Sequence, residues 1–273
     1  MKVCVLGLGE VGFSTAKYVV DKELDVWGYD IDLKAVKRAK KMGIRNATDV
    51  WDEIPSVDVY LICVSTGIRA DVPDLSPVFD VCEKINKKAC LSSCPLVSIE
   101  STILPGLSQR VFRDIFKEHV RLVHVPHRYW AEQTVKHGVK QMRVIGGVDV
   151  ASLDAGLKFY KDILDIPLHV VSSVEVAEMS KIGENAYRYV QIAFAEELRM
   201  VCEELGLRFD EVQDACNTKW NIEILEARGG IRGHCLPKDT QYLASLTAFN
   251  ALIKSAMVVD KMYRAWRARK IQK

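Results

Sequence analysis

The fold is decided by Gly7-Leu8-Gly9-Glu10-Val11-Gly12, a glycine-rich stretch that separates two patterns of different periodicity. Before it, Lys2 to Leu6 is a short apolar run with β-branched residues, which is typical of a buried strand. After it, apolar residues recur at helical spacing. A strand, a G-x-G-x-x-G turn and a helix in this order predict a dinucleotide site, where pyrophosphate approaches the glycine backbone at the N-terminus of the helix.

A carboxylate at the end of the second predicted strand supports this interpretation. Asp30 lies eighteen residues after Gly12, close to the ~20 residues expected for the group that binds the ribose hydroxyls. Its charge would repel a 2′-phosphate, so NAD is favoured over NADP. Lys34 and Arg38 nearby are interpreted as a solvated helix face. The alternative is an ordinary glycine turn, with Asp30 at the start of a helix.

Length and composition describe an ordinary globular protein with a substantial core. Of its 273 residues, 49% are hydrophobic and 27% are charged, and the formal net charge of +2 is too small to indicate a nucleic-acid partner. No apolar run reaches the ~20 residues that span a bilayer, and no signal-peptide core is present. A soluble cytoplasmic protein without membrane contact is expected. None of the eight cysteines is spaced C-x-x-C, so neither a metal site nor a disulfide framework is predicted.

Strand and helix patterns alternate over the first part of the chain, which predicts an α/β fold with a doubly wound parallel sheet of the Rossmann type. The predicted strands are Lys2–Leu6, Asp25–Tyr29, Val57–Val64, Lys88–Ser92, Arg121–Val125, Arg143–Ile145 and Leu168–Val171. From Ser173 onward the pattern is helical, with a long helix from Val174 to Leu205, closed by Gly206, and a last helix from Asn250 to Arg269. We therefore expect a dinucleotide-binding domain over residues 1–172 and an all-helical domain over residues 173–273.

The helical half carries one candidate chemical constellation. On the long helix, polar residues recur at three- and four-residue steps and share one stripe, formed by Glu178, Lys181, Asn185 and Arg188. By itself this stripe indicates an exposed ion-pair face. The loop Gly233-His234-Cys235-Leu236-Pro237-Lys238-Asp239 adds a thiol between a glycine and a proline. Because the thiolate is the nucleophilic form of cysteine, a reactive Cys235 needs a cation such as Lys181 or Lys238.

These residues and several others resemble the UDP-glucose/GDP-mannose dehydrogenase family, whose members oxidise the primary alcohol of a nucleotide sugar to a carboxylate with NAD. The similar segments are Gly7 to Gly12, Asp30, Cys63-Val64-Ser65-Thr66, Glu100-Ser101-Thr102-Ile103-Leu104-Pro105-Gly106, Arg143-Val144-Ile145-Gly146-Gly147, Glu178 to Asn185, and Gly233 to Asp239. The resemblance implies NAD as cofactor and a homodimer formed through the helical domain. It also implies cofactor contacts from Gly7, Gly9, Glu10, Val11, Gly12, Asp30, Val64, Ser65, Thr66, Thr102 and Lys238.

By the same resemblance, Cys235 is the nucleophile of the reaction. It would trap the aldehyde intermediate as a thiohemiacetal, which is oxidised to a thioester and then cleaved by water, so that two NADH form per substrate. Lys181 and Asn185 would stabilise the developing oxyanion. Thr102 and Asp239 would position the water or relay its proton.

The sequence departs from the family at three places. The chain stops after the last helix, where the family continues into a second nucleotide-binding domain, so the usual substrate clamp is not expected. The family's Pro-Glu-Arg segment reads Pro126-His127-Arg128, which replaces a carboxylate of the thioester stage by an imidazole. His127 then serves either as a general base or for binding alone. Arg232 replaces a glycine of the loop before Gly233.

The remaining polar residues have simpler interpretations. Glu132, His137 and Arg143 are expected in a surface loop, or else at the border of the substrate site. The basic end of the last helix is expected to be solvated, or else to meet phosphate groups of a substrate or partner; it comprises Arg264, Arg267, Arg269, Lys270 and Lys273. The apolar residues of that helix belong to the core or to a dimer seam; they are Leu252, Ala256, Val259 and Tyr263.

Three functions remain open from the sequence. The first is an NAD-dependent dehydrogenase of this family that acts on a sugar, a sugar phosphate or a sugar nucleotide. The second is a two-electron β-hydroxyacid dehydrogenase, which shares a Lys-x-x-x-Asn pair on its long helix but lacks the reactive cysteine. The third is a non-catalytic NAD-binding subunit that needs a separate nucleotide-recognising chain. The yield of NADH per substrate separates the three functions. Two NADH are expected for the first, one for the second and none for the third.

Overall fold

The computed structural model describes residues 1–88 and 94–271. The strands are β1 (Lys2–Leu6), β2 (Asp25–Tyr29), β3 (Asn46–Thr48), β4 (Val59–Ile62), β5 (Gly67–Arg69), β6 (Val72–Asp74), β7 (Leu96–Ile99), β8 (Arg121–His124), β9 (Arg143–Gly147) and β10 (Leu168–Val170). The helices are α1 (Glu10–Val20), α2 (Leu33–Lys41), α3 (Ser76–Lys88), α4 (Leu107–Asp114), α5 (Thr134–His137), α6 (Val150–Leu157), α7 (Val174–Glu204), α8 (Phe209–Asn217), α9 (Cys235–Leu246) and α10 (Ala251–Ile271). Helix α6 continues into a π-helical segment, Lys158–Ile163.

Eight strands form one sheet in the order β10-β9-β8-β7-β4-β1-β2-β3, and β5 pairs with β6 in a separate hairpin. All neighbours in the large sheet are parallel except β8 and β9. Parallel neighbours require crossover connections, which explains why strands and helices alternate along the chain. The chain moves outward from β1 to β3 and then returns to β4 on the other side of β1, so the strand order reverses between β1 and β4.

Strand β1 is an interior strand of the sheet, between β2 and β4. Its residues from Val3 to Leu6 are all 0% exposed, because both faces of a parallel sheet are covered. The turn that follows requires glycine at two positions. Gly7 has a φ of +90°, and a Cβ atom at Gly12 would lie 1.8 Å from the carbonyl oxygen of Gly7. Helix α1 can therefore approach the end of β1 very closely.

The chain divides into two compact units, Met1–Ser180 and Lys181–Lys273. The first contains the sheet, and the second contains most of α7 together with α8, α9 and α10. In the helical unit, one apolar cluster joins Ala195 and Cys202 of α7 to Phe209 of α8 and Tyr263 of α10. Among the described residues, every helix is too short or too polar to cross a lipid bilayer.

The predicted Rossmann-type sheet is confirmed, with one correction to its strands. The predicted strand Lys88–Ser92 is wrong where the structure describes it, because Lys88 closes helix α3, and residues 89–93 lie outside the described part of the chain. The strand is β7, whose apolar pattern is interrupted by Ser98. That hydroxyl lies 2.7 Å from the Tyr160 hydroxyl in the core, so a polar residue occupies a buried strand position.

A second correction concerns strand direction and the shortest strands. Strands β9 and β10 run opposite to the other six, and a hydrophobic pattern carries no information about direction. Strand β3 and the hairpin strands β5 and β6 have three residues each, which is too short for a periodic signal.

Candidate functional site

A cavity of about 440 Å³ lies beside the glycine-rich turn, at the carboxyl ends of the parallel strands. Its lining includes Gly7 and Gly9 after β1, Asp30 after β2, and Val64 and Ser65 after β4. All five are among the predicted cofactor contacts. The strand order reverses here, between β1 and β4, which is where doubly wound sheets bind dinucleotides.

The carboxylate of Asp30 is held by the backbone around the turn. The N–H of Leu8 donates to Oδ2 at 2.6 Å, and the N–H of Asp32 donates to Oδ1 at 2.8 Å. Arg38 is exposed, as expected, but it also donates to the carbonyl of Leu8 at 2.6 Å and lies over the ring of Phe13 at 5.7 Å. These hydrogen bonds therefore fix the position of the Asp30 carboxylate relative to the glycine-rich turn.

The residues of this cavity fit NAD. Helix α1 begins after Gly9 without a side-chain cap, so its first backbone N–H groups, from Glu10, Val11 and Gly12, remain available to a pyrophosphate. The carboxylate of Asp30 stands at the end of β2, where a ribose with free hydroxyls is favoured and a 2′-phosphate is repelled.

The loops after β4 and β7 are bonded to each other beside the cavity. The hydroxyl of Ser101 donates to the carbonyl of Val64 at 2.6 Å, and the hydroxyl of Thr66 donates to the carbonyl of Thr102 at 2.9 Å. Thr66 is buried and Thr102 is half-buried. Two predicted site residues, Thr66 and Thr102, are thus directly joined.

Sequence reasoning did not assign a role to Glu100, which the structure places at the centre of a buried polar network. Glu100 is 4% exposed, and it accepts hydrogen bonds from Cys63 at 3.3 Å, from Arg143 at 3.3 Å, and from His127 and Tyr160. Burial alone would raise the pKa of Glu100, but the charges of His127 and Arg143 outweigh it and lower the pKa to about 2. A charged residue directly after an apolar strand is a signal that Glu100 has a special environment, but it does not reveal the partners of Glu100.

His127 is part of the same network. It is 7% exposed, and its Nε2 contacts the Glu100 carboxylate and lies 3.1 Å from the Thr15 hydroxyl on helix α1. The expectation of a surface loop for Arg143 is wrong, since this side chain is 0% exposed. The first residue of strand β9 points into the interior, where the Glu100 carboxylate pairs with the guanidinium. Glu132 is exposed and His137 stacks on Trp130, as a surface loop allows.

The described residues include one group with metal-ligand chemistry. Cys63, Glu100 and His127 bring a sulfur, a carboxylate oxygen and a ring nitrogen within 4.8 Å of one another. The Arg143 guanidinium on the same carboxylate opposes a cation there, and burial with the Glu100 charge raises the pKa of the Cys63 thiol well above its usual range. A thiol that keeps its proton is a poor metal ligand, so the group is better described as a buried ion-pair network.

Glu178 departs from the expected exposed ion-pair stripe. This side chain is fully buried, and it accepts the N–H of Gly106 at 2.6 Å and the N–H of Ser108 at 2.8 Å. Both donors belong to the N-terminus of α4, whose orphan N–H groups and positive end favour a carboxylate. Burial raises the pKa of Glu178, and these hydrogen bonds offset part of the rise.

In the helical unit, three predicted site residues are bonded together, since Asn185 and Lys238 both contact the carboxylate of Asp239. The buried Asp239 accepts the side-chain amide of Asn185 at 2.5 Å and pairs with the Lys238 ammonium at 2.5 Å. The Lys238 ammonium also lies 4.4 Å from the ring centre of Tyr242. Lys181 lies one turn before Asn185 on the same helix. The structure thus joins α7 to α9 through the residues that the resemblance singles out.

Cys235 is exposed and is the first residue of helix α9. The loop before it turns at Gly233, which has a φ of +87°, a conformation that favours glycine. The N-terminal end of a helix carries partial positive charge, and Cys235 stands at that end of α9. The other residues of the first turn include the buried Lys238 and Asp239.

Two family models match the chain. The NAD binding domain of the UDP-glucose/GDP-mannose dehydrogenase family matches residues 1–164, and the central domain of the same family matches residues 175–261. The UDP-N-acetyl-D-mannosamine dehydrogenase of Methanocaldococcus jannaschii is 29% identical over an alignment that covers 100% of this chain and 68% of that protein. The enzyme of the same name from Pyrococcus horikoshii is 30% identical, with 90% of this chain and 64% of that protein covered.

A solved structure agrees with these matches. The UDP-D-ManNAc dehydrogenase of Pyrococcus horikoshii superposes with a TM-score of 0.89 at 28% identity, over 98% of this chain and 70% of that chain. This chain therefore spans about two thirds of the length of the relatives it matches.

Proposed function

Because the chain belongs to the UDP-glucose/GDP-mannose dehydrogenase family, we propose that it oxidises the primary alcohol of a sugar nucleotide or sugar phosphate to a carboxylate. Its cofactor is NAD, since the NAD binding domain of the family covers residues 1–164 and the cavity at Asp30 fits that dinucleotide. The activity of the whole relatives is carried over as a proposal, because the chain spans about two thirds of their length.

One observation carries the proposal: an exposed thiol begins a helix whose first turn is anchored on a buried carboxylate. Cys235 supplies the thiol, and Asp239, four residues further along the helix, binds the Asn185 amide and the Lys238 ammonium. The thiol is exposed at a helix N-terminus, and the amide and ammonium groups are suitable donors for an oxyanion. A simple binding subunit has no chemical need for this combination.

In the proposed first stage, an alcohol is oxidised to an aldehyde and captured. A bound NAD would accept the hydride in each of the two oxidations, so that two NAD are reduced per substrate. The Cys235 sulfur adds to the aldehyde carbon, and the carbonyl oxygen becomes an oxyanion that Asn185 and Lys181 stabilise. Loss of a second hydride from this carbon leaves a thioester on Cys235.

In the proposed second stage, water cleaves the thioester. The C–S bond breaks, the acyl carbon gains the water oxygen to become a carboxylate, and a proton returns to the sulfur. Asp239 and Thr102 are the groups proposed to position this water or relay its proton. The imidazole of His127 stands where relatives are expected to have a carboxylate, so a general-base role at this stage is one of two roles open to it.

The substrate is proposed to carry phosphate. Arg232, three residues before Cys235, has an exposed side chain, and no hydrogen bond or ion pair joins it to the parts of the chain that the structure describes. A guanidinium is well suited to phosphate oxygens. Relatives named as UDP-N-acetyl-D-mannosamine dehydrogenases support a sugar nucleotide as the first substrate to test.

A homodimer through the helical unit is also proposed. Only part of the expected dimer surface on α10 is accessible. Ala256 and Tyr263 are buried within the unit, whereas Leu252 is 67% exposed. A larger apolar surface lies on α7, where Tyr187 and Phe194 border a groove of about 740 Å³. An exposed apolar surface of this kind is typical of a protein interface.

The test is the amount of NADH formed per substrate consumed. The protein is incubated with NAD and, in separate reactions, a UDP-sugar, a hexose 1-phosphate or a free hexose. Two NADH per substrate are expected with a phosphate-bearing substrate. One NADH would indicate the β-hydroxyacid type of reaction, and none with any substrate would favour a binding subunit.

Substitution of the nucleophile tests the covalent step. Cys235→Ala is expected to lower turnover by about a thousandfold or more, because no other group then bonds to the aldehyde carbon. Cys216→Ala, which removes a partly exposed thiol from α8, is the matched control and should keep full turnover. Full turnover by Cys235→Ala would rule out the thioester route.

A further inference from the structure

The Glu100 network gathers groups from four separate parts of the sheet unit. Cys63 follows β4, His127 follows β8, Arg143 begins β9, and Tyr160 lies in the π-helical segment after α6. All four bond to one carboxylate at the end of β7. Because the carboxyl ends of parallel strands lie at one edge of the sheet, Glu100 holds together the edge where the cofactor binds.

His127 extends this network to the dinucleotide helix. The ring nitrogen that contacts Glu100 also lies 3.1 Å from Thr15, and two residues further on the Tyr129 hydroxyl lies 3.0 Å from Ser14. Thr15 and Ser14 are neighbours on α1, which begins at the glycine-rich turn. The loop after β8 is thus attached to α1 at two successive positions.

The same edge carries the loops with the proposed cofactor contacts. Glu100 is followed directly by Ser101 and Thr102, which bond to Val64 and Thr66 of the neighbouring loop. A change in the position of Glu100 would therefore shift both loops. The side chain itself is too deeply buried to contact a ligand in the cavity.

We infer that Glu100 and His127 act as a pair of positioning residues, which fix the loops after β4, β7 and β8 against helix α1 so that the cofactor site is preorganised. His127 serves as the cationic partner of Glu100 and not as a proton acceptor in the reaction. The inference rests on the proposed function for the reaction it serves, but its main readout is the affinity for NAD, which is measured without a substrate.

The contacts of His127 favour this role over that of a general base. A base must reach the proton that it removes, whereas this Nε2 already faces a carboxylate and a threonine hydroxyl in the interior. The groups that face the pair include the Cys63 thiol, the Arg143 guanidinium, the Tyr160 hydroxyl and the Thr15 hydroxyl. Glu100 stays ionised beside the Arg143 guanidinium and the His127 ring, as its low pKa of about 2 indicates.

Two variants weaken the pair to different degrees. His127→Gln keeps a donor but removes the charge, and it should raise the dissociation constant of NAD about tenfold. Thr15→Val removes only the link to α1 without changing a charge, and it should raise that constant about threefold. Tyr18→Phe, which removes a hydrogen bond from α1 to the Leu164 carbonyl, is the matched control and should leave NAD affinity unchanged.

Turnover separates a positioning role from a catalytic one. For His127→Gln at saturating NAD, kcat should stay within about fivefold of the parent value, and the shape of the kcat against pH profile should be unchanged. A fall in kcat of more than about a hundredfold, with loss of one limb of the profile and normal NAD affinity, would show that His127 is the base.

Calorimetric titration with NAD and thermal unfolding of each variant complete the experiment. If His127→Gln does not fold, Thr15→Val still tests the inference, because it leaves every buried charge paired. Unchanged NAD affinity in Thr15→Val and in folded His127→Gln overturns the inference. Absence of turnover in the parent protein would instead count against the proposed function, and the NAD titrations would remain valid.

Discussion

At the scale of the residue, Asp30 is the group that we expect to set the choice between NAD and NADP. Its two carboxylate oxygens accept backbone N–H groups at 2.6 and 2.8 Å, and asparagine offers only one accepting oxygen. We predict that Asp30→Asn raises the NAD dissociation constant about tenfold and reduces the preference for NAD over NADP, because the charge that repels a 2′-phosphate is lost. Calorimetric titration with each cofactor measures both effects. Asp32→Asn, at the N-cap of α2, is the control, and equal losses in the two variants would contradict the prediction.

At the scale of the element, helix α7 buries a carboxylate without a hydrogen-bond partner in the described part of the chain. Glu196 is 0% exposed, and burial, with the charge of Asp260, raises its pKa from 4.5 to about 7. The folded state then keeps a proton that the unfolded chain releases, so the contribution of Glu196 to the free energy of unfolding is fully present below pH 4.5 and is lost as the pH rises to about 7. Glu196→Gln should remove this fall and add about 2 kcal/mol to the free energy of unfolding near pH 8, measured by urea titration. The exposed Glu197→Gln should keep the parent slope, and the same slope in both variants would refute the prediction.

At the scale of the whole molecule, the prediction concerns association. In the helical unit, Phe194 is 55% exposed and Trp220 is 92% exposed, and both line the groove beside α7. If this surface is the dimer interface, a charge at its centre should be unfavourable because it would be buried without a partner. We predict that Phe194→Glu converts a dimer into a monomer, as measured by light scattering during size-exclusion chromatography. Phe249→Glu, at a 99% exposed position outside the groove, should remain dimeric, and a monomeric parent protein would exclude the interface.

Sequence patterns were sufficient to predict elements that are long, and those that are defined by a short motif. The glycine-rich turn after β1 and the carboxylate of Asp30 are both found where the pattern predicts them. The long helix begins at Val174, as predicted, and ends at Glu204, one residue before the predicted Leu205. Gly206 follows with a φ of +71°, as a residue that closes a helix commonly does.

Sequence patterns were insufficient where a polar group is buried by distant parts of the chain. Arg143 was expected at the surface and Glu100 was given no role, yet these two side chains pair in the interior. Glu178 was expected on an exposed stripe, and it caps the buried N-terminus of α4. In each case the partner is more than 40 residues away in the chain, so no local spacing reveals it.

The sequence by itself determined the sheet type and the positions of the glycine-rich turn and Asp30, because these depend on local turn geometry and periodicity. The groups proposed for the reaction were carried over from the family resemblance. Tertiary structure alone decided the direction of β9 and β10, the burial of Glu100, His127 and Arg143, and the bond between Asn185 and Asp239. The physical reason is that a buried charge is stable only beside its partner, and the partner is chosen by how the elements pack.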